Sequence, residues 1–341
     1  MSRRLRFMIR FRRTASSLML LALFVDAAAA DDVQKTAEEM MERARQLSDI
    51  RSPNAPGFRM NVTFSFIGKD LETLQGTYTE VWMSNSQWRR ETVVGDLRQI
   101  EIGGPASRWL VDDGKDLPEP ATHIPTLVQM FPSRNTKFEF KSSWIPNSTK
   151  QCFLSKAVGE KHQRHAFCFD NDHHVLARSD SPQSVGDRVA DYACDYNQFA
   201  KFGDYWFPRQ MECRVNGHRQ IEAKVVDLSP ASSPDSGLFK PPDGALEMGV
   251  CPANPLSPKA ISTPDPSVPR GMLERQVSVS IWMIVDINGK PQDLKVSRSG
   301  GKEFDRSALE AVRGWRFKPA ICNGQPISAH INVEIRFSPH R

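Results

Sequence analysis

The sequence predicts an α+β protein in two units: a curved antiparallel sheet with covering helices, then a small α+β C-terminal domain. Three observations carry this expectation. Residues 58–228 alternate apolar and polar side chains with period two, punctuated by turn signals. Residues 270–341 change period in the order strand, strand, helix, strand. Between them lies a stretch punctuated by proline.

The chain has 341 residues, enough for two ordinary domains, and a formal net charge of +5. That excess sits at the start. Residues 1–30 carry Arg3, Arg4, Arg6, Arg10, Arg12 and Arg13 against the single acid Asp26, so basic and acidic residues balance in the rest. A nucleic-acid binder needs its positive field on the folded body, and this body has no net charge to supply it. Residues 1–30 read as a secretory signal peptide: a basic start, an apolar run Leu18–Val25, and small residues Ala27–Ala30 before Asp31, with cleavage expected after Ala30. The alternative is an inner-membrane anchor over residues 14–30. A spanning helix needs about 20 apolar residues, and Asp26 interrupts a shorter run. The expected location is therefore the periplasm.

The first unit spans residues 31–228. An amphipathic helix is expected from Asp32 to Ile50, with Val33, Ala37, Met40, Met41, Ala44 and Leu47 on its apolar stripe. Period-two alternation then gives strands at 58–66, 76–83, 87–92, 97–102, 107–112, 137–144, 152–157, 166–170, 175–179, 190–199, 205–215 and 220–226. A short helix, Ile124 to Met130, interrupts them. Met60, Val62, Phe64 and Phe66, with Val81 and Met83 on the next strand, either line an open apolar cup or fill a core.

Six cysteines in an exported chain read as a disulfide framework. Cys194 and Cys213 are symmetric about a turn at Gly203-Asp204, and Cys152 and Cys168 about the loop around Glu160. Opposed strand residues lie within bridging distance, which leaves Cys251 for Cys322. His162, His165, His173 and His174 cluster near Cys168 without the paired spacing of a zinc site and read as turn histidines, so no metal or other cofactor is expected. No nucleophile elbow, phosphate-binding glycine loop or H-E-x-x-H helix occurs, and no enzymatic activity is expected.

Residues 229–269, with ten prolines from Pro230 to Pro269, are expected to be an extended, semi-rigid linker. The C-terminal unit opens with alternating Val277–Val285, turns through Asp286-Ile287-Asn288-Gly289-Lys290, and continues through Leu294–Ser297. A helix follows with Ala308, Leu309, Val312 and Trp315 on one face. The chain turns again at Asn323-Gly324 and ends in an alternating strand, Ile327 to Phe337.

Several segments give this unit a specific look: Val285-Asp286 with Gly289 following, Phe304-Asp305-Arg306-Ser307-Ala308-Leu309, Ala311–Ala320 with Gly314-Trp315-Arg316-Phe317 inside it, and Gly324-Gln325-Pro326-Ile327. In that order they resemble the C-terminal domain of the TonB family. The resemblance implies binding of an outer-membrane TonB-dependent transporter, or another envelope protein, by strand addition to the sheet. His330, Asn332, Glu334 and Arg336 are then the outward, partner-binding residues, and Ile331, Val333, Ile335 and Phe337 face the helix. The layout of the first unit is similar to LolA/LolB-type half-barrels, which implies a lipid or lipoprotein carrier as the alternative function. Internal capping or a homodimer at the last strand stays open.

Overall fold

The computed structural model describes residues 16–68, 71–104, 107–112, 117–147, 149–158, 164–185, 188–231, 235–249, 251, 256–267 and 276–338. Helix α1 (Ser16–Ser48) starts well before the expected Asp32. The Leu- and Ala-rich stretch preceding Asp32 has high helix propensity, with no Gly or Pro to stop it. The helix runs through the expected cleavage point after Ala30, while residues 1–15 of the expected leader lie outside the described residues. Among the described residues no helix is long and apolar enough to cross a membrane.

Antiparallel strands follow: β1 (Phe58–Ile67), β2 (Thr73–Ser84), β3 (Gln87–Val94), β4 (Leu97–Gly103) and β5 (Ser107–Asp112). Short helices α2 (Glu119–Thr122) and α3 (Ile124–Gln129) intervene. The second run is β6 (Phe138–Asn147), β7 (Lys150–Ala157), β8 (His165–Asp170), β9 (Leu176–Val185), β10 (Arg188–Phe202), β11 (Tyr205–Val215) and β12 (His218–Pro230). With β13 (Leu246–Gly249) they form one sheet in the order β13-β5-β4-β3-β2-β1-β12-β11-β10-β9-β8-β7-β6. A twisted sheet this wide curls, and register shifts at Asn61/Val62 and Cys213/Arg214 add bends. The result is an unclosed, curved sheet. Pro208 is tolerated inside it because the β11–β12 ladder begins only at Gln210, so no hydrogen bond from residue 208 to β12 is lost.

The concave face is filled. Ala37, Met41 and Ala44 of α1 and Ile124, Leu127 and Val128 of α3 pack into one cluster with Phe58, Met60, Val62, Phe64 and Phe66. Gln34 of α1 also satisfies part of the β6 edge: its Nε2 donates to Phe138 O at 3.0 Å, and its Oε1 accepts from Phe140 N at 2.7 Å. Val81 and Met83 do not share this face. Met60 pairs with Glu80 and Val62 with Tyr78, which puts Gly76, Tyr78, Glu80 and Trp82 inward and Val81 and Met83 on the convex side.

The inward Glu80 starts a ladder that alternation does not anticipate. Arg51 Nε donates to Glu80 Oε1 at 3.0 Å, Arg51 Nη1 to Val128 O at 3.0 Å, and the Tyr78 hydroxyl to Glu80 Oε2 at 2.9 Å. Glu80 lies opposite Arg90, and Arg90 opposite Glu101. Arg90 Nη2 donates to Glu101 Oε2 at 2.7 Å, and Arg108 Nη1 lies 3.5 Å from the same oxygen. Burial pushes the Glu101 carboxyl up, but Arg90 and Arg108 together outweigh it and hold the group below the usual carboxylate range.

The C-terminal unit comprises β14 (Lys259–Ser262), β15 (Val277–Val285), β16 (Pro291–Arg298), α4 (Lys302–Arg313), β17 (Arg316–Lys318), β18 (Ala320–Cys322), β19 (Gln325–Ile327) and β20 (Ala329–Phe337). The main sheet is ordered β16-β15-β20, and β14-β17 and β18-β19 are separate pairs. Short pieces of the expected linker, residues 229–269, are paired with neighbouring strands. β13 pairs with β5, Gly249 N donates to Ser328 O at 3.1 Å, and Leu256 bridges Ile321. β14 pairs with β17, and the Trp315 indole N–H donates to Pro264 O at 3.0 Å. Short alternating tetrads between prolines carry too little periodicity to be read as strands, but an adjacent unpaired edge recruits them. The expected boundary between residues 269 and 270 lies outside the described residues.

Disulfides join Cys152–Cys168, Cys194–Cys213 and Cys251–Cys322, with Cα separations of 3.9, 4.1 and 5.7 Å. The first two pairs lie directly opposite across β7–β8 and β10–β11.

The ladder makes a pH prediction. Because the folded Glu101 pKa is depressed, its contribution is fully present above the unfolded value of about 4.3 and is lost as pH falls through the folded value. Glu101→Gln should cost about 3 kcal/mol at pH 7, because Arg90 and Arg108 lose their shared carboxylate, and should flatten the acid limb. Urea titrations from pH 7 to 3 test this; parallel curves for variant and wild type would remove Glu101 from the acid response.

Candidate functional site

The candidate site is the C-terminal sheet, and local sequence dictates its frame. Val279, Ile281, Met283 and Val285 of β15 point to one face and are fully buried. Asp286 closes the following turn: its Oδ1 accepts from Asn288 N at 2.9 Å and Lys290 N at 2.8 Å. Gly289 sits at φ +75°, and a Cβ there would lie 1.8 Å from the Phe317 carbonyl oxygen. Its own carbonyl accepts from Phe317 N at 2.9 Å, so the turn is pinned to β17. Helix α4 lays Phe304, Ala308 and Val312 onto the sheet, with Leu309 and Trp315 half-buried at the margin.

β20 ends this sheet. Ile335 and Phe337 are buried, Ile331 and Val333 are half-buried against the same core, and Phe337 meets Phe304 edge-on at 5.0 Å. His330, Asn332, Glu334 and Arg336 are exposed together on the opposite face. Among the described residues no strand pairs with the outer edge of β20. Its backbone contact with β13 falls at Ser328, just before the strand begins.

These four side chains differ in their surroundings. Arg336 Nε and Nη2 donate to Glu334 Oε2 at 3.0 and 2.7 Å. Hydrogen bonding from Arg336, then from Ser278, holds the Glu334 carboxyl below the usual range. Asn332 Oδ1 accepts from Ser297 Oγ at 3.3 Å. The His330 ring stacks on Trp282 with centroids 6.2 Å apart; partial desolvation and the nearby charge of Arg108 lower its pKa.

That last contact belongs to a junction that sequence reading missed. Trp282 and Ile284 alternate onto the face away from α4, where they pack with Leu110 of β5 and Leu246 and Met248 of β13. Two consecutive outward apolar residues on β15 were the available signal.

The histidines near Cys168 do not assemble. His165 is buried in β8 with its ring 5.2 Å from Phe138, His173 Nδ1 lies 3.2 Å from Asp170 Oδ1, and His174 occupies a turn at φ +55°. His162 lies outside the described residues. Among the described residues, no group of three or more His, Cys, Asp or Glu could hold a metal ion.

Residues 272–339 match the family model of the Gram-negative bacterial TonB protein C-terminal. The chain is 40% identical over 65 residues to Protein TonB of Vibrio cholerae, covering 19% of this chain and 26% of that relative. It is 29% identical over 76 residues to Protein TonB of Xanthomonas campestris pv. campestris, covering 21% and 34%. The chain thus spans about a quarter to a third of the length of these curated relatives. Solved structures similar to it include a LolA superfamily protein from Nitrosomonas europaea, with a TM-score of 0.41 at 11% identity, covering 60% of this chain and 97% of that one. Another is a putative outer membrane lipoprotein-sorting protein domain from Vibrio parahaemolyticus, with a TM-score of 0.40 at 11% identity, covering 62% and 97%. The C-terminal unit is a domain of the TonB C-terminal type, and residues 1–271 lie outside that match.

The turn at Gly289 makes a test of this frame. Gly289→Ala adds a left-handed strain of about 1–2 kcal/mol and a backbone overlap. Gly324→Ala, at φ +82° in open space, adds strain alone. Urea unfolding followed by tryptophan fluorescence should show Gly289→Ala the more destabilising by at least about 2 kcal/mol; equal losses would mean that the β17 contact does not constrain the turn.

Proposed function

We propose that this is a non-enzymatic, partner-binding protein of the Gram-negative envelope, exported to the periplasm. Its C-terminal domain takes an extended segment of an outer-membrane TonB-dependent transporter onto the outer edge of β20. The observation that carries this reading is the combination at β20: an outer backbone edge with no strand paired to it among the described residues, and side chains divided into a buried set and an exposed set. A segment laid alongside gains main-chain hydrogen bonds, and its alternate side chains meet Asn332, Glu334 and Arg336. The match of this domain to the TonB C-terminal type supports the class of partner.

Force transmission is not part of the proposal. Leu246–Gly249 is paired with β5 and Lys259–Ser262 with β17, rather than free to extend. The second reading, a lipid or lipoprotein carrier, rests on the apolar concave face of the first unit. Met60, Val62, Phe64 and Phe66 are at most 4% exposed beneath α1 and α3, so an acyl chain would have to displace a helix.

The test uses the full chain and a ten-residue peptide copied from the periplasm-facing terminal segment of a transporter from the same cell. Strand addition uses alternate peptide amides. N-methylation of one alternate set should weaken binding at least about tenfold while the other set has little effect, read by isothermal titration. Equal tolerance of both sets would sink strand addition. A lipid adduct retained through native mass spectrometry in place of peptide binding would favour the carrier. A stable dimer with a silent edge would show that a second copy occupies β20.

A further inference from the structure

The junction between the two units ends the charged ladder in an unusual way. Arg51, Glu80, Arg90, Glu101 and Arg108 alternate in sign, so three guanidiniums share two carboxylates. Arg51 and Arg90 are each 12% exposed at the side chain, whereas Arg108, at the end of the ladder nearest β13, is 33% exposed. Arg90 holds Glu101 at 2.7 Å and Arg108 only reaches it at 3.5 Å, so the positive charge left over resides at Arg108.

Strand pairing brings that charge to the start of β20. Met248 lies opposite Arg108 in the β13–β5 ladder, and Arg108 Nη2 approaches Met248 Sδ at 3.7 Å. Met248 packs with Ile284, and Ile284 is the cross-strand partner of His330. Gly249, the next residue of β13, bonds to Ser328. Glu247, the closest acid on β13, alternates onto the other face, where it accepts from Ser107. Burial lowers the Arg108 pKa, with Glu101 opposing and Arg90 adding to the effect, and among the described residues Glu101 is the one carboxylate paired with it.

A segment added along β20 therefore has one end beside Phe337 and the other against β13 and β5. We propose that Arg108 of the first unit is a specificity-determining residue of the β20 edge, selecting partner segments that carry a carboxylate at the end beside His330. This inference rests on strand addition at β20. It assigns the first unit a role in recognition that the C-terminal domain alone does not have.

The probes are synthetic eight-residue peptides alternating threonine and valine, with Asp or Asn placed at either end in turn, titrated into the full chain at low salt. With wild type, Asp at one end should bind about fivefold more tightly than Asn, and Asp at the other end should give no gain. The preference should vanish in Arg108→Gln, persist in Arg108→Lys, and collapse in wild type at about 0.5 M salt. The Asn peptides should bind all three proteins equally, which also shows that the variants keep an intact edge. The salt series needs no substitution and stands even if Arg108→Gln does not fold. An undiminished preference in Arg108→Gln, or no preference in wild type that still binds the Asn peptides, overturns the role of Arg108 while leaving strand addition in place. Failure of every peptide to bind overturns strand addition, and the Arg108 role with it.

Discussion

The backbone hydrogen-bonding demand of sheet edges organises this molecule. A β-strand at an edge presents a row of N–H and C=O groups that must find strands, side chains or water. Without β13, the curved sheet of β1–β12 has two edges, β5 and β6, and each is handled differently. At β5 the edge is taken up by β13, a tetrad of the proline-punctuated segment. At β6 the side chain of Gln34 substitutes for a strand over Phe138 and Phe140. In the C-terminal sheet, β20 has its inner edge on β15 and no strand on its outer edge among the described residues. The proposed function rests on that difference, because an edge with no paired strand is one that a partner segment can use.

The covering of β5 has a second consequence. β13 is paired with β5 along its length, and its last residue makes a backbone hydrogen bond to the C-terminal unit, from Gly249 to Ser328. The Cys251–Cys322 disulfide, the Leu256–Ile321 bridge and the β14–β17 pair then hold the same segment onto the C-terminal unit. Trp282 and Ile284 close over Leu110, Leu246 and Met248 at the point where the two sheets meet. The paired parts of this segment are thereby shared structural elements, and through Met248, opposite Arg108, and Ile284, opposite His330, they join the end of the charged ladder to the start of β20.

Much of this was legible in the sequence for reasons that are local. Period-two alternation located strands such as β1 and β12 because each buries one face, and the β20 pattern separated Ile335 and Phe337 from Glu334 and Arg336 for the same reason. Turn symmetry placed Cys194 opposite Cys213 because no register shift intervenes in the β10–β11 ladder. What was not legible depends on register between strands. Val81 and Met83 look like partners of Met60 on the concave face, and Glu80 looks like surface, until pairing with Met60 turns Glu80 inward and leaves Val81 buried on the other side. The buried ladder is invisible beforehand because each carboxylate is tolerated only beside guanidiniums from other strands or loops. Tetrads such as Leu246–Gly249 have no pattern of their own and become strands only where an edge awaits them.

The measurement that bears most directly on the central claim is native-state amide hydrogen exchange across Ala329–Phe337 in the free protein and with a transporter-derived peptide. Alternation is expected in the free protein: amides facing β15 are protected as strongly as their partners, and those on the outer edge exchange freely until peptide is added. Full protection of both sets without peptide, independent of protein concentration, would mean that the edge is already capped within the chain and would contradict the account.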